Sequence, residues 1–173
     1  MTWLPKFLRR DDGASTIEFV ILFPAFMIVF ISTIDAGILM LRTVLLERGV
    51  DLAVRELRLG INPPADEDEM KVSICNHASF LRDCTNNLRV ELTRVEDGVW
   101  AFPNGGTQCV ERTEEVQPAL QFVNGTDHDI MVLRACAVYS PMFPTTGLGL
   151  RMVPSEGDTY SLVSTSAFVV EPT

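Results

Sequence analysis

The sequence predicts an α+β chain: one long N-terminal helix, then a short helix, then a small antiparallel sheet of about three or more strands. Three observations predict it. A run from Phe19 to Ile34 carries no charge, and apolar positions then recur at helical spacing as far as Leu57. Asp66-Glu67-Asp68-Glu69 opens a second amphipathic stretch, with acids where a helix dipole is positive. After it, apolar residues alternate with polar ones or form β-branched blocks.

Phe19 to Leu41 is broken only by Asp35. At ~1.5 Å per residue it is about 34 Å long, enough to cross a hydrocarbon core of ~30 Å. A transmembrane segment is therefore expected over about 19–41. Lys6, Arg9 and Arg10 precede it, which favours a cytoplasmic N-terminus with the rest of the chain across the membrane. Asp35 falls near the far interface, where headgroups or Arg42 can satisfy it. A cleaved signal peptide fits less well, because Ile34 spoils the small-x-small pattern before a cut after Ala36.

The helix should continue past the membrane. Leu46, Val50, Ala53, Val54 and Leu57 form one stripe, and charged residues fill the other positions. Asp51 and Arg55 are a favourable i,i+4 pair. Gly60 offers a left-handed cap, and Asn62-Pro63-Pro64 prevents continuation. Pro24 should kink the helix, since it has no N–H and crowds the carbonyl of Val20.

Residues 61–173 form the expected head. Its helix carries Met70, Ile74, Ala78 and Leu81 and ends near Cys84, with a turn at Asn86-Asn87. Leu88, Val90 and Leu92 alternate with Arg89, Glu91 and Thr93, the pattern of a half-buried strand. Ile130 to Tyr139 is apolar on both faces and predicts a central strand. Tyr160 to Val170 predicts a third, and three strands suffice for a sheet against helices. Asp127-His128-Asp129 predicts a polar turn. Pro141-Met142-Phe143-Pro144 and Leu148 to Pro154 are apolar for a connection, so they either fold over the core or form a contact patch for another subunit, with Met142, Phe143 and Leu148 as its candidates.

Four cysteines, Cys75, Cys84, Cys109 and Cys136, lie beyond the membrane helix, where an even count favours two disulfides. If Asp66 to Cys84 is one helix, Cys75 and Cys84 stand about 13.5 Å apart. That disfavours bridging them, because bridged Cα atoms lie within about 7 Å. A metal site is not expected, since no C-x2-C pair occurs and His77 and His128 stand singly. No G-x-S-x-G, H-E-x-x-H or phosphate-loop pattern occurs, so neither enzyme activity, a small-molecule substrate nor a cofactor is expected. Asn124-Gly125-Thr126 matches a glycosylation acceptor, a pattern frequent by chance. Three of the 14 bases and four of the 23 acids precede Arg42, leaving 11 bases against 19 acids. Such an acidic head argues against nucleic acid or anionic lipid as the main partner.

The remaining feature is Gly13-Ala14-Ser15-Thr16-Ile17-Glu18-Phe19, which sets a glutamate at the edge of the apolar run. A charge near mid-membrane costs roughly 2.5–3.5 kcal/mol, less toward the ends, so a carboxylate kept there is a functional candidate. This stretch resembles the processing site of type IV pilin precursors. Within that class, GASTIEFVILFPAFMIVFISTIDAGILML is similar to the TadE-like pseudopilins of the tight-adherence (Flp) pilus system, including Pro24 and Gly37. The resemblance covers roughly Gly13 to Glu56. Its one departure is Ala14, where an aromatic first residue is common.

The resemblance implies a pilin-like fold in which residues 1–13 are a cytoplasmic leader, cut between Gly13 and Ala14 by a prepilin peptidase. The mature helix would then run from Ala14 to Leu59, about 69 Å if unbroken. Partners would be other pilin or pseudopilin subunits and an inner-membrane assembly platform, and the product a pilus serving adhesion at the cell surface. Cutting after Gly13 frees an ammonium on Ala14, one helical turn from Glu18. That carboxylate can pair with its own ammonium or a neighbour's, and the second choice would set register between bundled helices. The competing function is a permanently anchored periplasmic binding or sensor domain.

Overall fold

The computed structural model describes residues 14–60, 64–79, 81–95, 108–111, 117, 119–145, 147–153 and 158–172. The leader, including Gly13, lies outside the described residues, as do Asn62, Pro63 and Pro154. The described elements are α1 (Ala14–Arg58), α2 (Glu67–His77), α3 (Cys84–Asn87), β1 (Leu88–Arg94), β2 (Ile130–Tyr139), α4 (Gly147–Met152) and β3 (Tyr160–Val169). The fold is α+β, and the three strands form one antiparallel sheet in the order β1-β2-β3.

Helix α1 is assigned as continuous for 45 residues, through Pro24. It stops as the sequence predicts. Gly60 takes φ 65° and its N–H bonds the carbonyl of Leu57, while Leu59 N–H bonds that of Arg55. The N-cap of α2 is Asp66, whose carboxylate accepts from the N–H of Glu69, and Glu69 in turn accepts from Ala65 N–H.

Two helices cover one face of the sheet, α2 over β1 and α1 over β3. Leu46, Val50, Ala53, Val54 and Leu57 of α1 meet Met70 and Ile74 of α2, and both sets pack on Leu88, Val90, Leu92, Met131, Leu133 and Leu162. The two helices touch closely at Gly49, where a Cβ would lie 2.8 Å from the carbonyl oxygen of Ile74. Glu56 ties the same seam, accepting from Ser73 and from Nε2 of His77.

Four expectations for the head need correction. Helix α2 ends at His77 rather than near Cys84, and the N–H of its cap residue Ala78 bonds the carbonyl of Ile74. The chain then doubles back, bringing the Cα atoms of Cys75 and Cys84 to 5.8 Å, and the bridge that a continuous helix disfavours is formed. Asn86 and Asn87 close the short helix α3 rather than a turn, held by Asp83 in a left-handed conformation. Strand β1 is buried on both faces. Arg89 and Thr93 are as enclosed as their apolar neighbours; Glu67 holds Arg89 at 2.9 Å, and the segment around Phe122 hydrogen-bonds Leu92 along the edge of the strand. Part of the apolar connection after β2 is helical, as α4.

The second disulfide joins Cys109 to Cys136 on β2. The polar turn stands at Asp127-His128, with His128 at φ 70°. Asp129 follows, capping Thr126 and pairing with Arg94 at 2.9 Å. The Asn124 amide donates to the carbonyl of Pro64.

Candidate functional site

The N-terminal half of α1 is a bare apolar helix. Ile17, Phe19, Val20, Ile21, Leu22, Phe26, Ile28 and Val29 are all exposed, on every side of the helix. Water would not tolerate such a surface, and a bilayer would. By length and composition the helix can cross a membrane. Two of its hydroxyls are satisfied within the helix. Ser32 donates to the carbonyl of Ile28 and Thr33 to that of Phe30, at 2.8 and 2.7 Å. Phe19 stacks on Phe23 and Phe26 on Phe30, each one turn apart.

Within this surface Glu18 is exposed and makes no ion pair among the described residues. It stands four residues into the helix from Ala14. Pro24 lies inside the helix and leaves the Val20 carbonyl without its usual donor. A Cβ added at Gly37 would meet nothing within 4 Å, so the fold of this chain alone does not require glycine there.

The head begins to cover α1 at Ile31, and Asp35 is buried, 4 % exposed. The carboxylate expected at the far interface therefore sits beneath the head. Seven residues on, Arg42 acts as a clamp. Its guanidinium donates to the carbonyl of Ser140 at 3.1 Å and to the hydroxyl of Tyr160 at 2.6 Å, and lies 4.8 Å from the ring centre of Tyr139. The two tyrosines are paired across β2 and β3. Burial pushes the Tyr139 phenol above its ordinary value, with the Arg42 charge pulling the other way.

Helix α4 lies on α1 just beyond this clamp. Phe143 and Leu148 are half-buried, and the backbone of Phe143 closes against Gly149 so tightly that a Cβ could not fit. Met142 and Leu150 point outward. The apolar connection thus divides between covering the core and facing outward.

The structure therefore leaves Glu18 and the Met142 loop at opposite ends of the bare helix, and it pairs all four cysteines. Sequence reasoning missed the roles of Gly49 and of the clamp of Arg42 with Tyr139 and Tyr160. The clamp left a signal, an arginine at the end of the apolar run and a tyrosine at the matching end of two strands. A groove of about 370 Å³ between α1 and α2 carries Glu56, Ser73 and His77, but Ser73 and His77 both bond the same carboxylate rather than each other. Among the described residues no cluster of histidine, cysteine and acids is placed to hold a metal.

Residues 13–55 match the family model described as TadE-like protein. No curated protein and no solved structure matches the chain. The matched segment holds Gly13, Glu18, Pro24, the bare helix and four of the five residues of the α1 stripe that enters the core, Leu46 to Val54.

Proposed function

We propose that this chain, whose N-terminal segment is TadE-like and so associates it with the Tad pilus, is a minor pseudopilin that a prepilin peptidase cuts after Gly13. The observation that carries the proposal is an exposed carboxylate at Glu18, one turn from Ala14 on a helix apolar on all sides. After the cut, Ala14 bears an ammonium. In a bundle of such helices each Glu18 can meet the ammonium of a neighbour, and a helix out of register leaves two charges unpaired in hydrocarbon. The match to the family, the anchor-like helix and the disulfide-bearing acidic head support a subunit held in the inner membrane and then drawn into a pilus at the cell surface, in the service of adhesion.

The test is the N-terminus of the mature protein in cells that carry the peptidase. Ala14 as first residue supports the proposal. An intact Met1 overturns it and favours a permanently anchored periplasmic domain. The register role is tested separately, with Glu18→Ala: normal cleavage together with normal incorporation into the pilus would refute that role alone.

A further inference from the structure

We propose that the connection after β2, with Met142, Leu150 and Arg151 at its surface, rests on the bilayer, so that the head is seated on lipid as well as hung from α1. The first argument is position. Strands β2 and β3 run along α1: Arg58 pairs with Glu171 at one end, and Arg42 holds Ser140 and Tyr160 at the other. The connection that leaves Ser140 must therefore emerge on the side of the bare helix, where α4 lies on α1.

The second argument is length. From Ala14 to Ile34, the last residue before the buried Asp35, α1 has 21 residues, or about 31 Å. That matches a hydrocarbon core of ~30 Å. No spare helix separates the lower end of the head from the membrane surface.

The third argument is chemistry. Met142 is 56 % exposed and Leu150 67 %, and Met40 and Val44 of α1 are equally bare near the clamp. These side chains continue the apolar surface of the span into the boundary layer. Exposed Arg151 stands next to Leu150 and is suited to lipid phosphates, and long cationic side chains reach such groups readily. The same connection carries Glu156 and Asp158, so its bare apolar side chains and Arg151, rather than its net charge, are what favour the lipid surface. A protein partner at the same patch is the competing occupant.

The inference needs the span but not the pilus, so it can be tested on the full chain in phosphatidylethanolamine–phosphatidylglycerol vesicles. Single spin labels would be placed at Leu150→Cys, at Val29→Cys in the span and at Val72→Cys on exposed α2, with the two native disulfides verified by mass. The quantity read is label accessibility to oxygen relative to a water-soluble nickel chelate. We expect the ratio at position 150 to lie severalfold above that at 72 and close to that at 29, with Met142→Cys behaving the same way. A lipid-like ratio at 29 with a water-like ratio at 150 would overturn the inference while leaving the anchor intact. A water-like ratio at 29 would remove the anchor and the inference together. A label at 150 that is open to water alone, then shielded from both reagents when pilus subunits are added, would assign the patch to a protein partner and also overturn it.

Discussion

At the scale of single residues, the head is held to its helix by a few polar contacts whose loss has a direction. Arg42 is half-buried and bonds a carbonyl, a hydroxyl and an aromatic face at once. Arg42→Ala should lower the unfolding free energy by about 1–3 kcal/mol, because it leaves the Ser140 carbonyl and the Tyr160 hydroxyl to find other partners. Arg42→Lys should recover only part of that, since an ammonium cannot span the same acceptors with a planar fork. Urea unfolding of the detergent-solubilised protein, followed by tyrosine fluorescence, checks both. Asp129 gives a pH prediction. Hydrogen bonds from the N–H and hydroxyl of Thr126, with Arg94 nearby, hold its carboxyl below the ordinary aspartate range. A carboxylate with a depressed folded value contributes stability above its unfolded value near pH 4, and loses it as pH falls through the folded one. Wild type should therefore lose stability more steeply below pH 4 than Asp129→Asn, and thermal melts between pH 2.5 and 6 would show the difference.

At the scale of elements, α1 and α2 depend on one close approach. Gly49→Val would drive two methyl groups into the backbone of Ile74 and the methyl of Ala78, forcing the helices apart. Overpacking of this kind costs about 1–3 kcal/mol or more, and Gly49→Ala should cost less. The disulfide between Cys109 and Cys136 fixes residues 108–111 beside the central strand. Replacing both cysteines by serine should cost about 2–5 kcal/mol, seen as a lower urea midpoint that no longer responds to reductant at that bridge.

The same elements mark what a sequence can disclose. The end of α1 was legible within a residue because Gly60 and the prolines after it stop the helix, and β2 because ten residues in a row suit a buried strand. The end of α2 was not. Ala78 and Leu81 stay buried after the chain reverses, so the helical spacing of apolar residues continues through a turn that no glycine or proline announces. The stop is tertiary, set by Ala78 against Gly49 and by the Cys75–Cys84 bridge. In the candidate site, Glu18 was legible as an anomaly of charge. Arg42 was not, because its partners lie 98 and 118 residues away.

At the scale of the whole molecule, the boundary between anchor and head is not the boundary between helix and head. The stripe Leu46, Val50, Ala53, Val54 and Leu57 is one wall of the core, so the folding unit begins within α1, well before residue 61. Burying side chains of that size contributes about 1.5–3 kcal/mol each, and for the four largest this is comparable to the whole stability of a domain, about 5–15 kcal/mol. A chain that starts at Asp35 keeps the Arg42 clamp and every helix contact with the sheet. It should unfold cooperatively on heating and retain its near-ultraviolet circular dichroism. A chain that starts at residue 61 loses the wall and should show neither property, even with both disulfides formed. Cooperative unfolding of the shorter chain would mean that the sheet and α2 close a core alone. The long helix would then be a tether rather than a structural part of the head, and a pull on the helix would not be carried rigidly into the sheet. With the wall in α1, the span, the clamp and the sheet move as one body, and a displacement of the bare helix carries the head with it.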